Sequence, residues 1–166
     1  MSLIVGDNSK SFEPIPEGLH QAACCDVRSL GLVDTPWGKK EKVEIRWQLD
    51  LVNEKTGKRF VAPKRYGASL SKKASLRKDL ETWRGRPFTE KELEAFDLEV
   101  LLGVNCQIQV QHKPGDDGTV YSNVVAVVPL GKGMTKVRIE DYVRMAEREG
   151  KGKPAEAEAE GEDTPF

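Results

Sequence analysis

A mainly β domain is predicted by this 166-residue sequence: five strands, a helical segment between the third and the fourth, and an acidic tail. Three observations predict it. Residues 41–52 alternate apolar and polar side chains without interruption, the period of a half-buried strand. Near residue 76 the apolar spacing becomes that of a helix, and at 104 it returns to alternation. From 154 onward large apolar side chains disappear until the last residue, and acids replace them.

Taken in order, residues 1–17 hold breakers (Gly6, Pro14, Pro16) and little periodicity, and read as an N-terminal arm. Gly18 precedes a Leu-, Ala-, Cys- and Val-rich stretch, 19–33, that reads as a long first strand bent at Gly31. Pro36, Trp37 and Gly38 make a turn. The second strand follows at 41–52, with Val43, Ile45, Trp47, Leu49 and Leu51 on one face and Glu44, Arg46, Gln48 and Asp50 on the other. Residues 53–58 carry turn chemistry, and 59–66 form the hairpin partner. Pro63 cannot donate to a ladder, so this third strand belongs at a sheet edge or a bulge.

Leu76, Leu80 and Trp83 then share one helical face, with Ser71 as the expected cap. Gly85 and Pro87 end that helix, and Thr89 with Glu92 forms a capping box for a second, which directs Leu93, Phe96 and Leu101 inward and stops at Gly103. Strands four and five are expected at 104–111 and 119–128 around a Pro114–Gly118 turn, and a short helix at 139–149. Three strands, a helical insertion and two strands is the chain order of the OB-fold, a small five-stranded barrel that binds single strands across its second and third strands. The domain is thus placed at 18–149, with a tail at 150–166.

Charge supports that surface. All 26 Lys and Arg precede the tail, and the 27 acids less the tail's five leave 22, so the body is net +4. Residues 55–86 alone hold eleven bases against Asp79 and Glu81, net +9, a density that a phosphate backbone would balance. The tail, by contrast, has Glu156, Glu158, Glu160, Glu162 and Asp163 and no base from 154 on, and its composition predicts disorder. It finishes on Thr164, Pro165 and Phe166, an apolar anchor on an acidic arm, which fits a basic partner with a small hydrophobic pocket.

Two resemblances follow. The segment Glu162, Asp163, Thr164, Pro165, Phe166 resembles the acidic tip of bacterial single-stranded DNA-binding proteins, and the likeness implies recruitment of replication and repair proteins through these five residues. Lys73-x-x-Leu76-Arg77-Lys78 and Trp83-Arg84-Gly85-Arg86-Pro87-Phe88, continuing through Phe96, Asp97 and Leu98, resemble phage-encoded replication proteins with an OB-type fold. That likeness spans roughly 13–131 and implies single-stranded DNA binding in phage or prophage replication.

A single-strand site needs aromatic rings beside cations, because bases stack on the rings while Lys and Arg follow the backbone. Trp37, in a turn and followed by Lys39 and Lys40, fits this best. Trp47 and Trp83 lie on apolar faces and read as core. Arg46, on the polar face of strand two, is a phosphate contact, as are Lys58, Arg59, Lys64 and Arg65 around strand three. Of Phe60 and Tyr66, one is expected to face the ligand, and Tyr66 is the choice. Lys72, Lys73 and Arg77 line the entrance, or form a solvated helix face; Tyr121 fits stacking or packing equally.

Other chemistries find no residues in the required pattern. His20 and His112 stand alone, Gly131-Lys132-Gly133 is too short for a phosphate loop, and Cys24, Cys25 and Cys106 lack paired ligand spacing. No catalytic step, cofactor or metal is expected. Adjacent Cys24 and Cys25 suit free thiols in a reducing cytoplasm, and no apolar run has the roughly 20 residues of a membrane span. The expected function is coating of single-stranded DNA, with partner proteins gathered by the tail, and a homo-oligomer is compatible with it. An RNA-binding module and a non-catalytic adaptor with a basic docking face are the competing readings.

Overall fold

The alternation at 41–52 belongs to a longer strand, β2 (Gly38–Asn53), that lies between β1 (Gly18–Thr35) and β3 (Lys58–Gly67). The computed structural model describes residues 14–116 and 118–145. After β3 come helices α1 (Ser75–Arg84) and α2 (Glu90–Glu94), a 3-10 turn (Leu98–Leu101), β4 (Asn105–Pro114) and β5 (Val120–Val128). The five strands form one sheet in the order β3-β2-β1-β4-β5, antiparallel throughout. β3 is therefore an edge, which is why Pro63 is tolerated there.

The expected barrel is open. Among the described residues no ladder joins the two edge strands, although β3 and β5 come within 8 Å. α1 packs against both. Leu76, Leu80 and Trp83 turn inward from it, and the Trp83 ring meets Trp47 edge-on at 6.0 Å between centroids. The Trp83 indole N–H donates to the Asn105 carbonyl at 2.9 Å, which ties the helix to the first residue of β4. Ile45, Leu49, Ile108, Val110 and Cys106 complete the core on the same side of the sheet.

Bulges decide which side chains reach that core. Cys24 pairs with Trp47 and Asp26 with Arg46, so Cys25 is an extra residue in β1. Each insertion reverses the alternation beyond it. Val27 is thereby buried, and Asp26 and Arg28 pass to the opposite, polar face. A second insertion at Leu30, next to Gly31 with φ 68°, bends β1 where the sequence expects a bend.

Several local expectations are corrected. The N-cap of α1 is Ala74, with no side-chain bond, and not Ser71. The Thr89–Glu92 capping box forms, but α2 lasts only five residues. Ala95 is extended, so Phe96 swings back onto Phe88 at 5.0 Å, and Asp97 caps a separate 3-10 turn. Residues 14–17 are docked rather than a free arm: Ile15 is buried, and its N–H donates to Ser122 Oγ at 2.7 Å. The helix expected at 139–149 is absent over 139–144, which run as irregular chain across the sheet. Residues 1–13 and 146–166, including the tail, lie outside the described residues.

The two tryptophans bear directly on stability. Trp47→Ala and Trp83→Ala should each cost about 3–5 kcal/mol, the usual loss for a fully buried aromatic. Because the rings touch, the double variant should cost less than the two losses added, which denaturant melts of the four proteins will measure.

Candidate nucleic-acid interface

The polar face of the sheet carries a convergence of charge that starts from strand register. Arg28 of β1 and Arg65 of β3 both pair with Glu44 of β2, from opposite sides. Arg46 lies two residues along β2 on the same face. All three arginines donate through Nε to the Glu44 carboxylate: Arg46 at 2.7 Å, Arg28 at 2.9 Å and Arg65 at 3.4 Å. Bonding through Nε leaves the terminal amino groups of each guanidinium untaken by Glu44, and such a pair of amino groups has the fork shape that suits a phosphate. Three cations around one anion leave the cluster net +2.

Glu44 itself is buried. Burial alone would raise its pKa, but the hydrogen bonds and charges of Arg46 and Arg28 outweigh it and hold the carboxyl below its ordinary value. Arg46 is likewise pulled both ways: burial lowers its pKa, and Glu44 more than restores it. The carboxylate thus anchors three side chains, of which Arg65 reaches furthest into solvent at 66% exposure, while Arg28 and Arg46 are largely covered and Arg46 also bonds to Tyr142.

Above this cluster β1 and β2 continue as a two-stranded arm. Lys42 and Lys40, opposite Gly31 and Val33, extend the cationic face, and Trp37 crowns the turn at 84% exposure. Thr35 holds the turn: its hydroxyl donates to the Gly38 carbonyl at 2.6 Å and accepts from the Trp37 N–H at 3.2 Å. A ring this exposed has no packing role, and it offers a stacking surface beside Lys39 and Lys40, in an arm where Asp34, opposite Lys39, and Glu41 offset part of the lysine charge.

Below the cluster the face is closed. After β5 the chain recrosses the sheet, and side-chain amides take over its backbone groups. Asn105 exchanges two hydrogen bonds with Val137, and Gln48 two with Glu140. At Asp141, in the left-handed region with φ 50°, the strap turns back to Asp26. That buried carboxylate accepts from Tyr142 at 2.8 Å, Arg144 at 3.1 Å and the Met145 N–H at 2.8 Å. These bonds replace the ladder of the expected helix.

The residues read from the sequence therefore separate. Trp37, Lys39, Lys40, Arg46 and Arg65 come together on the upper polar face and its arm. Arg59 is drawn under the strap, donating to the Arg138 carbonyl at 2.8 Å beside Glu140. Lys58 is exposed at the far end of β3. Tyr66 is not a ligand-facing ring. The alternation of β3 sends Phe60, Ala62 and Tyr66 to the core, and the Tyr66 hydroxyl donates to Asp79 at 2.6 Å. Lys64 points the same way and pairs with Asp79 at 2.8 Å. Lys72, Lys73 and Arg77 sit with α1 on the other side of the sheet. Tyr121 is exposed beside Lys113, at the opposite end of the strand register from Trp37. Glu162, Asp163, Thr164, Pro165 and Phe166 lie outside the described residues.

Arg28, Lys42 and Glu44 are the members the sequence reading misses. Glu44 shares its strand face with Arg46, but the placement of Arg28 depends on the bulge at Cys25, which has no sequence marker. Among the described residues no group of three or more His, Cys, Asp or Glu could hold a metal, and no helix is long and apolar enough to cross a membrane. Comparison with protein-family models and with curated proteins gave no match.

Glu44→Gln should lower stability by about 1–3 kcal/mol near neutral pH, the usual worth of hydrogen bonds to a charged group. The native carboxyl titrates below its unfolded value, so its stabilisation is present above the ordinary carboxylate range and is lost as pH falls through the native pKa. Melts of both proteins between pH 7 and about pH 3 should show the two curves converging at the acid end.

Proposed function

We propose that this protein binds single-stranded DNA on the upper polar face of β1, β2 and β3, with the β1–β2 arm folding a tryptophan over the bases. The observation that carries the reading is the set of three arginines from three adjacent strands gathered on one buried carboxylate, beneath an arm tipped by the exposed Trp37. Guanidinium forks suit phosphates, and a free indole suits any base, so recognition is sequence-tolerant.

The fold is taken as an open form of the OB-fold barrel. The strand order β3-β2-β1-β4-β5 becomes that barrel once β3 and β5 are joined, with the helices between β3 and β4 at its base. The motifs at 73–88 support assignment to phage replication, where the protein would coat exposed strands in the bacterial cytoplasm without a catalytic step. Partner capture is assigned to Glu162, Asp163, Thr164, Pro165 and Phe166 on their sequence alone; deleting Phe166 should remove host replication proteins from a pulldown while leaving DNA affinity within about two-fold.

Fluorescence titrations with matched single-stranded DNA, single-stranded RNA, duplex and an acidic protein test the reading. Tightest binding to single-stranded DNA is expected, with log affinity falling against log salt at a slope near −3 to −4 for about five phosphates. Preference for RNA or for the acidic protein would replace the reading with an RNA module or an adaptor. Trp37→Ala should weaken single-strand binding by about 1–3 kcal/mol without changing the melting temperature, since the ring packs on nothing. Arg65→Ala should lower both affinity and the salt slope, the latter by about 0.7. Salt-independent binding, or unchanged affinity in both variants, would place the site elsewhere.

A further inference from the structure

We propose that the groove on the outer side of α1 is a second nucleic-acid contact, one that reads phosphate backbone alone. One chain can then hold a single strand on its sheet face and a separate strand or duplex on its helix face. The proposal rests on the sheet-face reading and extends it to a bridging activity.

α1 spends one side on the core, burying Leu76, Leu80 and Trp83. Its other side lines a shallow groove of about 760 Å³ with Lys72, Lys73, Arg77, Lys78, Arg86 and a single acid, Glu81. Glu81 is already engaged: it pairs with Arg77 at 3.5 Å and accepts from the Phe88 N–H at 2.8 Å. Lys72, Lys73, Lys78 and Arg86 are exposed, and among the described residues no carboxylate lies within ion-pair distance of them. Four uncompensated cations in one concavity concentrate anions.

No aromatic side chain lines this groove, unlike the arm. Cations without a stacking ring hold phosphates and carry no preference for an unpaired base, so the groove should accept duplex as readily as single strand. Its position keeps it apart from the first site. Trp83 meets Trp47 on the core face of β2, whereas Glu44 and its arginines occupy the opposite face of the same strand. A sheet and a helix lie between the two basic surfaces, a separation on the order of 20 Å. They face away from each other, so a segment bound to one leaves the other open.

The experiment is sedimentation velocity of the full chain at low salt with a single strand and a duplex of unrelated sequence, each carrying its own fluorophore. The expected result is a species holding both labels at the mass of one chain, one strand and one duplex. In Lys72→Ala/Lys73→Ala/Lys78→Ala/Arg86→Ala the duplex label should leave that species, and the duplex salt slope should fall by about 3–4, while single-strand affinity changes less than about two-fold. All four side chains are exposed, and an unchanged melting temperature will verify that the variant folds.

Three results would overturn the proposal: single-strand affinity lost in step with duplex affinity, which means one continuous path; doubly labelled species that always contain two chains; or a groove that binds polyglutamate but no duplex, which makes it a protein dock. Duplex bound through these four residues with no single strand bound anywhere would instead sink the sheet-face reading and leave the helix-face contact standing.

Discussion

The side chain of Trp83 is the constraint on which this fold depends. A five-stranded sheet that does not close exposes an apolar side and two edges, and something must fill the gap between β3 and β5. α1 fills it, and Trp83 fixes the helix there by two independent contacts: its ring against Trp47 and its N–H to the Asn105 carbonyl. The second contact matters beyond the core, because the Asn105 side chain then holds Val137 on the far side of the sheet. One residue of β4 thus connects the helix below, the strands, and the strap above.

The polar face is organised by two buried carboxylates with different consequences. Asp26 draws Tyr142, Arg144 and the Met145 N–H onto itself and closes the lower face. Glu44, which pairs with Arg28 two residues along β1, draws three arginines of the sheet itself and, among the described residues, none of the strap, and leaves the upper face open. A buried carboxylate surrounded by guanidiniums keeps its charge to lower pH than a free one, and its partners are held in direction by their Nε bonds. The cost of ordering three long side chains is then met by the fold itself.

Linear charge density proved a poor guide to surface. The eleven bases of 55–86 look like one patch in the chain, but alternation along β3 and the two sides of α1 divide them. Arg65 faces the open sheet, Lys64 faces Asp79, and Arg59 is held under the strap. Arg84 is buried against the Phe88 ring and pairs with Glu92. The remaining cations of the helix face look away from the arm. A stretch that reads as one strongly basic face is therefore two separate surfaces and a set of internal ion pairs.

Local pattern made much of the architecture legible in the sequence. The alternation of β2, the helical spacing of Leu76, Leu80 and Trp83, the capping box at Thr89 and the exposed turn at Trp37 depend on neighbours a few residues apart. What the tertiary structure alone decided depends on distant partners. The pairing of the Tyr66 hydroxyl with Asp79 joins β3 to α1, and residues 140–145 are held as irregular chain by Gln48 on Glu140 and by Asp26 on Tyr142, Arg144 and Met145. Above all, the meeting of Arg28, Arg46 and Arg65 on Glu44 requires one extra residue at Cys25. A bulge reverses every side chain after it, and it is visible only in the register between β1 and β2, not in the composition of β1.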